Sequence, residues 1–312
     1  MITTLTLNPA LDLTLTVDQF VADDSNRVSA ARKDPGGKGF NVSRVVRRLG
    51  YPTTAIGFLG GHAGQEVMQY LKDEGIYVWH IPTQAETRVN VTISNVASAQ
   101  QTKFNQKGPR ILKSEWSAMV NLLMQVIDHA SVLVLSGSLP PGLPDDIYAS
   151  LVEQAKKLNP TLKIVVDADG PALKHAVEAR PFLIKPNLYE LNRLMDTQLT
   201  TTTSDAEILV VLQKLRRRGP EAVLLSMGAA GVMYVSKNGV LRAQAPRTKV
   251  RTTVGAGDSL LAGFVTGLAR HQSETEALRL GLACAGATLS QPGTHLAQPA
   301  DVRRLLKRIE IC

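Results

Sequence analysis

The sequence predicts an α/β protein built on a largely parallel sheet, and three observations carry that prediction. Strand-like and helix-like stretches alternate along the chain. Several short apolar runs end in small polar residues, as strands do where their carboxyl ends form a ligand crevice. Two stretches, 13–34 and 88–107, break the alternation and carry few helix signals, so they read as a small β-rich flap inserted into the α/β body.

Taken in order, residues 2–8 alternate like a first buried strand, and 40–49 have helical spacing closed by Gly50. Residues 53–59 read as a strand and 65–74 as a helix closed by Gly75. In the flap, Val28, Val89, Val91, Ile93, Val96 and Phe104 suggest extended segments. Four apolar runs follow: 132–135 ending in Ser136-Gly137-Ser138, 163–167 ending in Asp167-Ala168-Asp169, 182–184 ending in Lys185-Pro186-Asn187, and 222–225 ending in Ser226-Met227-Gly228. A long apolar helix is expected over 259–270. The whole chain, 1–312, reads as one domain.

Composition narrows the function. Hydrophobic residues make up 44% of the chain and no apolar run reaches membrane-spanning length, so a membrane role is not expected. The N-terminus carries no basic region or cleavage-type segment, and Cys284 and Cys312 form neither a disulfide framework nor a metal spacing, so a reducing cytoplasm is the expected location. Cys284 sits in a helical pattern as a small core residue. The net charge of +8 resides partly in basic clusters at 44–48, 216–218 and 303–308, without interleaved aromatics. With aromatics at only 4%, a nucleic-acid partner is not expected, and small anionic ligands account for the same sign.

The chemistry concentrates at helix starts. Gly255-Ala256-Gly257-Asp258 stands directly ahead of the long apolar helix. A helix start offers unpaired N–H groups and a positive dipole end, and small residues let those groups close on a phosphoryl oxygen. Asp258 stands where it can take a proton from an attacking hydroxyl. Pro35-Gly36-Gly37-Lys38-Gly39-Phe40-Asn41 repeats the arrangement ahead of the first helix, and its spacing is not that of a Walker loop. Asp12, after the first strand, can accept from two hydroxyls of a polyol. Asn187 and Glu190, three apart at a helix start, suit either Mg²⁺ held mainly through water and phosphate or a capping box. Ser226, Gly228 and Gly231 form a small-residue turn able to pack against a nucleotide.

In their order along the chain, these motifs resemble the PfkB (ribokinase-like) carbohydrate kinases. Gly-Gly-Lys-Gly-Phe-Asn-Val-Ser at 36–43 and Thr-Val-Gly-Ala-Gly-Asp-Ser at 253–259 are similar to the two signatures of that family. Between and around them stand Asn-Pro-x-x-Asp at 8–12, Thr87-Arg88, Ser-Gly-Ser-Leu-Pro-Pro-Gly at 136–142, Lys-Pro-Asn-x-x-Glu at 185–190 and Ser226-x-Gly228. Asn-Pro-x-x-Asp and Ser-Gly-Ser-Leu-Pro are similar to the branch acting on phosphorylated ketohexoses, namely the 1-phosphofructokinases, tagatose-6-phosphate kinases and minor 6-phosphofructokinases. At Thr252 the chain departs from the acidic residue that many relatives carry where a monovalent cation is organised.

The resemblance implies a three-layer αβα sandwich with a β-rich lid, and transfer of the ATP γ-phosphoryl group to a sugar phosphate. Fructose 1-phosphate is the first expectation, with fructose 6-phosphate and tagatose 6-phosphate as alternatives. A non-catalytic sugar-phosphate sensor is the reading from a different class. The resemblance implies Asp258 as base and the amides of Gly255, Ala256 and Gly257 as stabilisers of the transferring group. Asn187 and Glu190 would position Mg²⁺ with Lys185 nearby, and Ser226, Gly228 and Gly231 would border ATP. Asp12, Gly37 and Asn41 would hold sugar hydroxyls. Lys38, Arg27, Arg88 and Lys103, with Ser138 as a neutral donor, are the candidates for the resident phosphate. A homodimer through the lid is also implied.

Overall fold

The computed structural model of the chain describes residues 1–98 and 100–311; Cys312 lies outside the described residues. Thirteen strands are present among them: β1 (Ile2–Thr6), β2 (Ala10–Val17), β3 (Val28–Gly36), β4 (Thr53–Leu59), β5 (Tyr77–Pro82), β6 (Arg88–Asn95), β7 (Gln100–Phe104), β8 (Val132–Ser136), β9 (Lys163–Asp167), β10 (Leu183–Ile184), β11 (Ala222–Ser226), β12 (Val232–Ser236) and β13 (Gly239–Ala243). The α-helices are α1 (Lys38–Arg48), α2 (Gly61–Asp73), α3 (Lys113–Val126), α4 (Ile147–Leu158), α5 (Gly170–Glu178), α6 (Leu188–Met195), α7 (Asp205–Arg218), α8 (Ala256–Ala269), α9 (Glu274–Leu289) and α10 (Pro299–Leu306).

Nine strands form the central sheet in the order β13-β12-β11-β10-β9-β8-β1-β4-β5. From β11 to β5 every neighbouring pair is parallel; β12 and β13 close one edge antiparallel. The pleat sorts each strand's side chains between two cores. Leu133 and Leu135 of β8 face the core made with α3, α4, α5 and α7, while Val132 and Val134 face the core made with α1, α8, α9 and α10. This is the α/β architecture expected, with helices on both faces of a mostly parallel sheet.

Helix α8 is buried from Asp258 to Ala269, which explains why its sequence is apolar on every side. It lies close against α9 because glycines meet there: a Cβ on Gly263 would stand 2.7 Å from the Cα of Gly281. Cys284 is fully buried in this layer, and burial pushes its thiol up to about 12, so it behaves as the inert core residue expected.

The second sheet has four strands in the order β3-β2-β6-β7, with β2 and β6 parallel and the outer pairs antiparallel. It draws on both stretches that broke the alternation, and its first two strands reach from Ala10 to Gly36, beyond the 13–34 stretch at both ends. Val96 stands just past the end of β6, where its amide donates to the Val17 carbonyl at 3.0 Å.

Two helix starts differ from the periodicity by three residues or more. α2 begins at Gly61 rather than near residue 65, because the Glu86 carboxylate accepts from the Ala63 amide at 3.0 Å and caps the first turn from a distant segment. α8 begins at Ala256, so the glycine turn is the first turn of the helix itself.

Candidate active site

The central strands deliver their carboxyl ends to one cleft of about 610 Å³, lined by Asn8, Gly37, Lys38, Asn41, Arg88, Ser138, Glu190 and Asp258 among others. Two helices aim their N-termini at it. α1 starts after Gly37, whose φ of 121° an L side chain rarely adopts. α8 starts after Gly255, at φ 75°, where a Cβ would stand 2.6 Å from the Leu296 side chain. Gly255 supplies no side-chain cap, so the first amides of α8 lack the acceptor that a Ser or Asp would provide. They are available to an oxyanion.

Asp258 occupies the third position of α8 and is 8% exposed. Burial pushes its carboxyl above the ordinary range and the Asp167 charge adds to the effect, while Lys38 and the Asn41 hydrogen bond oppose it. Asn41 Nδ2 donates to Asp258 Oδ2 at 2.8 Å.

Asp167 is the buried hub of the site. Its Oδ1 accepts from Lys38 Nζ at 3.0 Å, and Lys185 Nζ lies 3.3 Å from Oδ2. Burial alone would raise this carboxyl, but Lys185 and Lys38 overcome it and hold it below the usual range. Burial likewise acts against the charge of Lys38, yet Asp167, Asp258 and Glu190 together keep its ammonium above the ordinary lysine value. Lys38, expected beside the resident phosphate, is therefore drawn into the carboxylates at the heart of the cleft. Lys185 reaches the glycine turn, since a Cβ on Gly257 would stand 3.4 Å from its Nζ.

Asn187 and Glu190 form the capping box that was one of their two readings. Asn187 N donates to Glu190 Oε2, and Glu190 N donates to Asn187 Oδ1, both at 2.8 Å. Glu190 Oε1 stays outside the cap, 3.9 Å from Lys38 Nζ, and burial raises this carboxyl. No group of three or more His, Cys, Asp or Glu side chains able to hold a metal occurs among the described residues. One carboxylate oxygen outside the cap, on a residue that lines the cleft, fits Mg²⁺ bound mainly by phosphate and water, and no all-protein cage.

Ser226 ends β11 and bridges to Asn187, so the small-residue turn adjoins the cap. Gly228 and Gly231 bound a single 3₁₀ turn there at φ 57° and 86°. Nothing stands within 4 Å of where a Gly228 Cβ would be, which leaves open space beside this turn.

On the other side, Asp12 of β2 packs over Gly36, where any side chain would collide with its carboxylate. Burial raises the Asp12 carboxyl, and the Asn90 amide, donating to Oδ1 at 2.9 Å, opposes the shift. Arg88 opens β6 and donates to the carbonyls of Asn8 at 2.7 Å, Gln106 at 2.8 Å and Pro9 at 3.3 Å. Those bonds fix the guanidinium at the cleft wall and leave part of its donor fork free. Ser138 Oγ accepts from Asn8 Nδ2 at 3.2 Å. Arg27 and Lys103 do not join this group; Arg27, just before β3, and Lys103, on β7, are both exposed, and neither lines the cleft.

Sequence reading did not assign Asp167, Asn8, Asp169 or Arg193, all at or beside the cleft. Arg193 Nη1 lies 3.2 Å from Asp169 Oδ2 across its rim. The available signal was positional: Asp167 ends β9, and Asn8 and Asp169 stand just past the ends of β1 and β9.

Comparison with known proteins identifies the family. Residues 6–301 match the family described as pfkB family carbohydrate kinase. The chain is 34% identical to the 1-phosphofructokinase of Bacillus subtilis (strain 168), over 100% of this chain and 99% of that one. It is 36% identical to the D-tagatose-1-phosphate kinase of Bacillus licheniformis, over 94% of each. The crystal structure of phosphofructokinase-2 from Escherichia coli in complex with potassium superposes with a TM-score of 0.92 at 31% identity, covering 98% of both chains.

Proposed function

The chain belongs to the pfkB family of carbohydrate kinases, and on that premise we propose that it transfers the γ-phosphoryl group of ATP to a phosphorylated ketohexose, with fructose 1-phosphate as substrate and fructose 1,6-bisphosphate as product. The observation that carries this reading is Asp258, buried at the start of α8, held by Asn41, and facing the cleft that Arg88 and Ser138 also line. Two of the relatives named above are named for sugars already phosphorylated at C1, which favours the same acceptor here.

In this reading Asp258 takes the proton of the attacking hydroxyl as the new O–P bond forms and the bond to the ADP oxygen breaks. The amides of Gly255, Ala256 and Gly257 donate to the oxygens of the transferring group, and Lys185 and Lys38 add positive charge beside them. Asp12 and Asn41 orient the sugar hydroxyls. Arg88 and Ser138 take the resident phosphate, since a guanidinium meets its oxygens in a forked contact. ATP lies along the turn of Ser226, Gly228 and Gly231. Glu190, with Asn187 beside it, would hold Mg²⁺ on the ATP phosphates, where the ion neutralises charge. The retained base distinguishes a kinase from a sensor, which has no use for a proton acceptor.

The four-stranded sheet is the lid of this proposal: it carries Asp12 and Arg88, so its closure would complete the sugar side and exclude water. Its exposed Val28, Val96 and Phe104 support a homodimer that pairs lid against lid, the setting in which Arg27 and Lys103 would meet a phosphate. No described helix is long and apolar enough to cross a membrane.

The test is ADP release from Mg-ATP with fructose 1-phosphate, fructose 6-phosphate, tagatose 6-phosphate and free fructose, compared by kcat/KM. Preference for fructose 1-phosphate supports the proposal; preference for free fructose would remove Arg88 and Ser138 from their assigned role.

A further inference from the structure

The basic surface of this protein is concentrated away from the catalytic cleft. Arg247, Lys249 and Arg251 lie on the segment between β13 and α8, which runs without helix or strand, and all three line one cleft. Opposite them, α10 and the turn after it bury Val302, Leu305 and Ile309 and turn Arg303, Arg304, Lys307 and Arg308 outward. Asp301 and Glu310 are the acids of this face, so seven cationic and two acidic side chains supply five of the chain's eight excess positive charges.

Between the two walls lies a cleft of about 490 Å³, within the usual range for a small-molecule site. Arg247, Lys249, Arg251, Arg304 and Arg308 line it, with Thr248 as a neutral donor. Asp301 is already engaged by Arg304 at 2.6 Å and by Gln291 Nε2 at 2.9 Å. Among the described residues the side chains of Arg247, Lys249, Arg251 and Arg308 make no ion pair or hydrogen bond within 4 Å and 3.5 Å respectively. The dipole at the end of α10 accounts for cations there but not for three more converging from another segment.

We propose that this cleft is a second anion site that binds the phosphate chain of a small oligophosphate. Guanidinium groups match phosphate oxygens in forked contacts, and several converging cations suit a ligand carrying consecutive phosphates rather than one carboxylate. The lining holds no aromatic side chain on which a base could stack, which sets it apart from a single-stranded nucleic-acid track. None of its residues lines the catalytic cleft, so the site stands independently of the kinase reading. The Arg251 and Thr252 amides donate to the Leu289 carbonyl at 2.7 and 3.3 Å, which ties the cationic segment to the end of α9 on its way to Gly255.

The experiment is calorimetric titration of the full chain with inorganic tripolyphosphate, its catalytic cleft first saturated with a non-hydrolysable ATP analogue. One further equivalent is expected to bind, and to weaken as salt is raised. Arg247→Ala/Arg308→Ala should weaken that binding about tenfold or more while kinase turnover is kept, because each lost fork removes charge-assisted bonds. Arg303→Ala/Lys307→Ala, at two cations that do not line this cleft, should leave it within about twofold. A second equivalent of the ATP analogue binding at the same site would identify a nucleotide as the source of the phosphates; its exclusion would point to inorganic oligophosphate. The proposal is overturned if the ATP analogue binds with a single equivalent and tripolyphosphate does not bind the saturated chain, if both double variants weaken binding equally, or if a single-stranded RNA dodecamer binds the face more tightly than tripolyphosphate.

Discussion

Asn41 Nδ2 and Asp258 Oδ2, 217 residues apart in sequence, meet at 2.8 Å and join the starts of α1 and α8. One hydrogen bond thus couples the two glycine turns of the site, and it fixes which oxygen of the carboxylate remains open toward the cleft.

Asp258→Asn keeps the size of the side chain and removes the proton acceptor. It is expected to lower kcat by roughly 10²–10⁴ while ATP binding stays within about twofold. Steady-state kinetics beside a direct ATP-binding titration check both halves. Near-normal turnover would show that another group takes the proton.

The same carboxyl sets a pH dependence. Burial holds Asp258 above the ordinary value in the folded chain, so the acid limb of kcat/KM should lie above that of a free aspartate. Asn41→Ala takes away a bond that favours the charged form, and the limb should move further upward in pH. A rate profile measured from acid to neutral pH tests this, and an unmoved limb in Asn41→Ala would contradict it.

Asp167→Asn leaves the ammonium groups of Lys38 and Lys185 without their buried counter-charge. A loss of about 3–5 kcal/mol in stability is expected, visible as a lowered denaturation midpoint. The sign with pH follows from the direction of the shift. Asp167 is held below its unfolded value, so its contribution is present above the unfolded pKa and fades as pH falls through the folded one. Asp258 is shifted the other way, so ionising it costs stability at neutral pH. Asp258→Asn should therefore raise the thermal midpoint even as it lowers turnover, and differential scanning calorimetry of the two variants separates these outcomes.

Arg88→Ala should raise KM for a sugar phosphate about tenfold or more with a smaller change in kcat, because the lost contact is to a part of the substrate that does not react. Unphosphorylated fructose should be indifferent to the substitution. An unchanged KM for the sugar phosphate would place the resident phosphate elsewhere.

Much of the fold was legible because its signals are local. Apolar runs such as 132–135 and 163–167 are read from composition, and Gly50 and Gly75 punctuate helices within a few residues. The glycine turns ahead of α1 and α8 were legible for the same reason. What escaped depends on distant partners. The start of α2 is fixed by Glu86, across a strand and a loop. Asp167 looks like any strand-end aspartate until β8 and β10 flank β9 and Lys38 and Lys185 arrive from other segments. The placement of Lys38 turned on the same convergence: its charge was visible, but the carboxylates that claim it come from 129 residues away and more.

The position of β1 in the central sheet has a consequence for synthesis. Residues 2–6 lie between β4 and β8, paired in register with 53–57 on one side and 132–136 on the other. A chain emerging from the ribosome exposes this buried strand well before its second neighbour, which leaves the tunnel more than a hundred residues later. Parallel pairings that close such long loops form slowly. Until β8 arrives, the nascent chain carries an open sheet edge, and Asn8, which borders the site immediately after β1, has no Ser138 to meet. The cleft is therefore assembled late in translation, and pausing before residue 136 is the interval in which the growing chain is most exposed to mispairing.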